Sequence, residues 1–263
     1  MKRRAFIAAS GAMAALPWQA MADATETPPA DDRQFFELII YHTHVGPRRN
    51  QVVDFYRDVA LPAYQRLGIG PVGVFTVLYG PNQPSVYVLV PHPSFESIVT
   101  APARLLDDAD YRQNGANFLN APLSDPAYVR QERQLMIAFA DMPRLEAPTA
   151  LLGTARIFEL RIYESHSVKA GQKKIDMFNE GGEIAIFRKT GLQPVFFGET
   201  LFGPAMPNLT YMLVFDSMET RNKNWDQFRT DPDWLTLRAD PIYKDTVSNI
   251  TDIILRPTPF SQI

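Results

Sequence analysis

The chain has no cysteine, which excludes disulfides, thiolate metal sites, a cysteine nucleophile and covalently attached haem. An oxidising compartment is therefore allowed but not demanded. Histidine is scarce, with four in 263 residues. Beyond the first residues no apolar run is long enough to cross a bilayer. There is no Gly-x-Ser-x-Gly elbow for a serine nucleophile. Gly181-Gly182 lacks the further glycines and the lysine of a phosphate-cradling loop. Positive charge is not in surplus either. The formal net charge is −3, which argues against a nucleic-acid or anionic-membrane surface.

The first residues have the layout of an export signal. Met1-Lys2-Arg3-Arg4 precedes a small, apolar stretch to Leu16 and an Ala20-Met21-Ala22 exit, as in a secretory signal peptide cleaved after Ala22. The Arg3-Arg4 pair resembles the twin-arginine signal, so residues 1–22 are expected to send a bacterial protein to the periplasm or beyond. Residues 23–34 read as a flexible lead-in. Cleavage removes Lys2, Arg3 and Arg4 and no acid, which takes the net charge from −3 to −6.

The remainder repeats itself. Phe36-Glu37-Leu38-Ile39-Ile40-Tyr41 returns as Phe158-Glu159-Leu160-Arg161-Ile162-Tyr163, and the echo continues at nearly the same offset. His44 matches His166, Tyr79-Gly80-Pro81 matches Phe202-Gly203-Pro204, and Asp110-Tyr111 matches Asp233-Trp234. Two copies of one module follow, over residues 35–141 and 156–257, with residues 142–155 as a Pro- and Gly-containing linker.

Each copy opens on an alternating strand. A helical stretch follows, Asn50 to Leu67 or Lys169 to Thr190, broken by Pro62 or by Gly181-Gly182. Two aromatic and β-branched runs flank a Gly-Pro turn, Val72 to Tyr79 with Ser85 to Val90, and Val195 to Phe202 with Leu209 to Phe215. A second helix (residues 94–107 or 217–228) and a last strand (residues 134–139 or 251–255) complete β-α-β-β-α-β, the ferredoxin-like plan. Helices cover one sheet face, so the other needs a partner. The expected fold is α+β, two tandem modules packing sheet to sheet as a barrel within one chain.

On that plan Phe158, Leu160 and Ile162 are expected to meet helices, and Glu159, Arg161 and Tyr163 the space between the sheets. Charged residues there need partners, water or a ligand, so Glu159 and Arg161 either pair with neighbouring strands or line a binding space, and the two are compatible. Arg221 and Trp225 share a helical face, where the arginine can cover the ring. Asp231-Pro232-Asp233 reads as a turn or a helix-starting cap, a structural feature in either case.

The second copy resembles the NIPSNAP family. Carrying the resemblance are Phe158 to Tyr163, the Gly191 to Val195 turn, Gly203-Pro204, Arg221 with Trp225, and Asp231-Pro232-Asp233-Trp234. Phe196 and Phe197 stand where the family often has tryptophan. The first copy departs further, with Ile39 for the strand arginine and neither tryptophan. The resemblance implies a dimeric α+β barrel. Proteins of that barrel include cofactor-independent monooxygenases, haem-binding enzymes and isomerases, among which fold analogy does not choose.

Two classes of function remain. One is an exported module that holds a small apolar or aromatic molecule between its copies, through Glu159, Arg161, Tyr163, Phe197, Glu199, Arg221 and Trp225. The other is a cofactor-independent oxygenase- or isomerase-like enzyme that moves protons with Glu159, Tyr163 or His166. The second copy, with Arg161 and both tryptophans, is expected to anchor the ligand. His42-x-His44 and Glu164-x-His166 have ligand-like spacing, but beside strand-to-helix turns they read as hydrogen-bonding or exposed residues. His92 reads as part of a Pro-His-Pro turn. No metal and no cofactor are expected. A homodimer of the pseudo-dimer is open.

Overall fold

A computed structural model describes residues 32–46, 48–148, 150 and 155–263; the expected signal peptide and most of the lead-in lie outside them. In the first copy, β1 (Phe35–His42) runs antiparallel between β3 (Ser85–His92) and β4 (Arg130–Ala138), and β2 (Gly73–Tyr79) pairs outside β3. In the second, β5 (Ile157–Glu164) lies between β7 (Asn208–Phe215) and β8 (Asn249–Pro257), with β6 (Gln193–Phe202) outside β7. Both are the ferredoxin-like order. The sheets also join edge to edge, β2 to β8 and β4 to β6. The result is one closed eight-stranded antiparallel barrel, in which the last strand of each module completes the other.

The helices break where expected. α1 (Arg48–Phe55) passes through a π-helical turn (Tyr56–Ala60) into α2 (Leu61–Arg66), which carries Pro62 in its first turn. Pro62 has no N–H to donate and crowds the carbonyl one turn back, so the helix widens ahead of it. α6 (Val168–Phe178) and α7 (Glu183–Lys189) part at Gly182, whose φ of +78° is left-handed. α3 (Phe95–Asp107) and α8 (Met218–Thr230) start alike, the hydroxyls of Ser94 and Ser217 accepting from the N–H groups of Ser97 and Thr220. Asp231 caps α9 (Pro232–Ala239), the second of its two sequence readings. α4 (Ala109–Asn114) and α5 (Ala116–Leu119) are short additions after Asp108.

The barrel interior is packed mainly with apolar side chains, beside a buried cluster in which Gln134, Thr200, Asn208 and Thr210 hydrogen-bond to one another. Phe36 and Leu38 of β1 and Phe158 and Leu160 of β5 fill it with rings from β2 and β6. Phe36 meets Phe196 and Phe75 meets Phe158, both at 4.9 Å between ring centres. A Cβ on Gly73 would fall 2.5 Å from the Phe75 ring, so glycine there makes the room. Two further cores lie outside the barrel, each beneath one module's helices.

This arrangement reverses the expected facing of the first strands. Phe158 and Leu160 point into the barrel; Glu159, Arg161 and Tyr163 point under the helices. Both faces of these strands are buried, so alternation separates two sets without saying where each goes. The wholly apolar set takes the interior, where no helix supplies partners. The mixed set goes where polar side chains of α8 can reach it.

Candidate functional site

The outward face of β5 carries most of the expected site residues, and they are bonded to one another. Glu159, 0 % exposed, accepts from Trp225 Nε1 at 2.6 Å, Arg221 Nε at 3.0 Å, Arg221 Nη2 at 2.5 Å and Arg161 Nη1 at 2.8 Å. Arg221 also donates to Asp252 at 2.9 Å. Arg161, not Arg221, covers the indole: its guanidinium carbon lies 4.7 Å from the centre of the Trp225 ring and 5.5 Å from that of Tyr163. Burial alone would raise the Glu159 carboxyl, but Arg221, Arg161 and Trp225 outweigh it and hold the group below the usual range. Asp252 is pushed up to about 6, by burial and then by the charge of Glu159.

Other expected residues lie apart from this cluster or do different work. Phe197 is a buried ring among Phe178 and Tyr211, at 5.1 and 5.2 Å. Glu199 is half-buried on β6, opposite Ile137 and Leu209. His166 and His44 are exposed; His42 pairs with Glu132 at 3.1 Å, and Glu164 accepts from Asn249 at 2.7 Å. Among the described residues no three metal-ligating side chains converge.

The first module shows the same geometry with a space in it. Glu37 occupies the place of Glu159, and Arg133 donates to its Oε1 at 2.8 Å, the distance seen for Arg161 and Glu159. The arginine absent from β1 has moved to the adjacent strand. Arg133 of β4 sits opposite Ile39, as Asp252 of β8 sits opposite Arg161. Counted from the capping serines, Ile98 and Pro102 of α3 hold the places of Arg221 and Trp225 of α8. Neither can bond a carboxylate, and Pro102 is far smaller than an indole.

A cavity of about 230 Å³ remains there. Glu37, Tyr41, Tyr56, Tyr64 and Arg133 are among its lining residues, and Pro102 and Leu106 lie at its exposed side. Tyr41 and Tyr56 share a hydrogen bond of 3.0 Å between their hydroxyls. Burial pushes the Tyr41 phenol up to about 12 and the Tyr56 and Tyr64 phenols well above their usual value, so all three stay neutral. Burial would raise Glu37 too, but His92 and Arg133 outweigh it and keep the carboxyl below its usual range. Behind Glu37, the fully buried His92 bonds Ser97 Oγ through Nδ1 at 3.0 Å; its Nε2 stands 3.7 Å from Glu37 Oε2, beyond hydrogen-bond reach. Stacked Phe55 and Phe118, 4.0 Å apart, separate this cavity from an outer groove of about 330 Å³ that holds Asp54, Asp58 and Asn117.

Sequence reasoning passed over Arg133 and the phenols of this cavity, and it read His92 as part of a turn, whereas His92 is the fully buried last residue of β3. The signal was present in composition, since seven of the ten tyrosines fall in the first copy. It was hidden because a degenerate repeat reads as lost function, whereas here it marks a vacated pocket.

A closed barrel of two ferredoxin-like modules, each with a carboxylate–arginine pair beneath its helices, defines the class as a single-chain α+β barrel. The NIPSNAP family profile matches residues 36–143 and 158–262, and the chain belongs to that family. The barrel is similar to a candidate monooxygenase from Lactobacillus acidophilus, at TM-score 0.54 and 10 % identity over 86 % of this chain and 94 % of that one. It is similar also to a candidate monooxygenase from Fusobacterium nucleatum, at TM-score 0.53 and 6 % identity over 86 % and 92 %. An anthrone oxidase-like protein gives TM-score 0.50 and 9 % identity over 86 % and 92 %. No curated protein sequence gives a significant match.

Proposed function

We propose that this NIPSNAP protein is exported to the periplasm and binds a small aromatic molecule in its first module. The observation that carries the reading is the tyrosine-lined cavity whose lining includes the paired Glu37 and Arg133. Rings with a few oriented polar groups are how small apolar molecules are held. At about 230 Å³ the space is below the roughly 300–1,000 Å³ of drug-sized sites, which suits a molecule of one or two rings. The ligand lies under the helices and not between the sheets, because Phe36, Phe158 and their neighbours fill the barrel.

Binding is favoured over turnover by the ionisation of the lining. A general acid or base works best with a pKa near the operating pH. Here the phenols are raised and Glu37 is lowered, which gives fixed donors and a fixed acceptor. A cofactor-independent oxygenase or isomerase is the second reading, supported by the barrel shared with candidate monooxygenases.

Native mass spectrometry of the protein purified from periplasm should show a small co-purifying molecule or, after addition, a bound aromatic. Ala101→Leu, which extends a buried side chain into the cavity, should fold and lose it. Retention of the molecule by a folded Ala101→Leu protein would place the site elsewhere.

A further inference from the structure

The two modules place the same carboxylate in the same setting, and one of them fills the space before it with its own side chains. Trp225 lays an indole there, with its N–H on Glu159 Oε2 at 2.6 Å. In the first module Pro102 stands at the corresponding position of α3, eight residues after the capping serine. The hydrogen bond to the Glu37 carboxylate there is from Arg133 to Oε1, and His92 Nε2 stands 3.7 Å from Oε2. Glu37 is 7 % exposed and lines the cavity, and among the described residues no hydrogen-bond donor lies within reach of its Oε2. A buried acceptor in that state favours whichever occupant restores the missing bond.

We infer that the first module selects a flat aromatic molecule bearing a ring N–H or a phenolic O–H, which donates to Glu37 Oε2 as Trp225 donates to Glu159. The inference rests on the binding reading above and narrows it to a donor-bearing aromatic class. Three features of the cavity agree with it. Tyr41, Tyr56, Tyr64 and Phe118 offer ring faces and edges for a planar guest. Arg133, already bonded to Glu37, is nearly half exposed and stands toward solvent, where it screens the carboxylate without occupying the cavity. Pro102 and Leu106 are exposed beside it, so a molecule of this size can enter from the helix side.

The selectivity has a direction. A neutral aromatic of the same shape without a donor leaves Oε2 desolvated and unbonded. An aromatic carboxylate brings a second negative charge against Glu37. Neither replaces what Trp225 supplies in the sister module.

Isothermal titration of the full mature protein with indole, benzothiophene and benzoate tests this, because benzothiophene keeps the shape of indole and lacks the N–H. Indole should bind at least tenfold more tightly than benzothiophene, with benzoate weaker than both. Glu37→Gln should reduce the indole–benzothiophene ratio to within about threefold. Pro102→Trp, which recreates the plug of the sister module, should abolish binding of all three while the circular dichroism spectrum stays unchanged. Equal binding of indole and benzothiophene, or tighter binding of benzoate, would overturn the donor class and leave the cavity as a binding site. Failure of all three to bind the wild-type protein at millimolar concentration, or undiminished binding by Pro102→Trp, would overturn the binding reading itself. Should Glu37→Gln not fold, the wild-type ratio of indole to benzothiophene still decides the class.

Discussion

Glu159 shows how a charge is kept in a nearly dry place. Its two oxygens accept four hydrogen bonds from three residues, and its charge is balanced by Arg161 and Arg221. Asp252 joins the same cluster from β8, and the two carboxylates respond to acid in opposite senses. A group lowered in the fold, as Glu159 is, contributes stability above its unfolded pKa of about 4.3 that disappears as pH falls through the folded value. A carboxyl raised to about 6, as Asp252 is, binds a proton in the folded state that the unfolded chain does not hold. Its contribution is therefore fully present below the unfolded value of about 3.9 and declines as pH rises to 6. Urea unfolding of wild type and Asp252→Asn at pH 4, 5, 6 and 7 should show the wild type losing stability relative to the variant between pH 4 and 6. A difference that stays flat over that interval would mean that Asp252 titrates normally.

At the scale of elements, the two copies record the same helix pair solved in two ways. Lys174 of α6 and Glu183 of α7 form a buried ion pair at 2.6 Å, with the ammonium 4.5 Å from the centre of the Phe178 ring. Burial still raises the Glu183 carboxyl, and Lys174 offsets only part of that. At the matching places of the repeat the first copy has Val52 and Ala60, both buried in its own apolar core. Removing one partner of a buried pair is costly, whereas replacing both with apolar groups is often neutral. Lys174→Val should therefore destabilise by about 3–5 kcal/mol, and Lys174→Val with Glu183→Ala should recover most of that loss in chemical denaturation. A double variant as unstable as the single one would show that the pair holds α6 against α7 in a way that packing does not replace.

The elements themselves were legible: strands, the second helix of each copy, the breaks at Pro62 and Gly182, and the Asp231 cap all leave local marks in the sequence. Facing was not legible, because β7 is buried along its whole length and β1 nearly so. Pairing of Glu159 and Arg161 was one of the two readings of the sequence, but with neighbouring strands as partners, and the bonds from Arg221 and Trp225 to Glu159 were not foreseen. Those bonds depend on α8 lying over β5, a contact across some sixty residues of sequence. The cavity was the least legible part. It results from what Pro102 and Ile98 fail to fill, and an unfilled volume has no residue of its own to announce it.

For the molecule as a whole, neither module has a finished sheet until β2 meets β8 and β4 meets β6. Open strand edges invite pairing with other chains, so closing the ring before release from the cell's interior would avoid that hazard. That agrees with the proposed twin-arginine route, which carries folded proteins. Replacing Arg3 and Arg4 by lysine should leave precursor in the cytoplasm by fractionation, because that receptor reads the arginine pair rather than net charge. Normal periplasmic accumulation of the double variant would assign export to the general secretory route.

Ring closure bears on the open cavity in another way. Repeats strung along a chain can loosen one at a time, since each touches only its neighbour. Here β4 and β8 are each shared property, hydrogen-bonded to both copies at once. The well-knit second half, with its indole plug and its paired arginines, therefore braces a first half that has given up those contacts. The vacancy is tolerated because the chain offers no seam along which its weaker half could open alone.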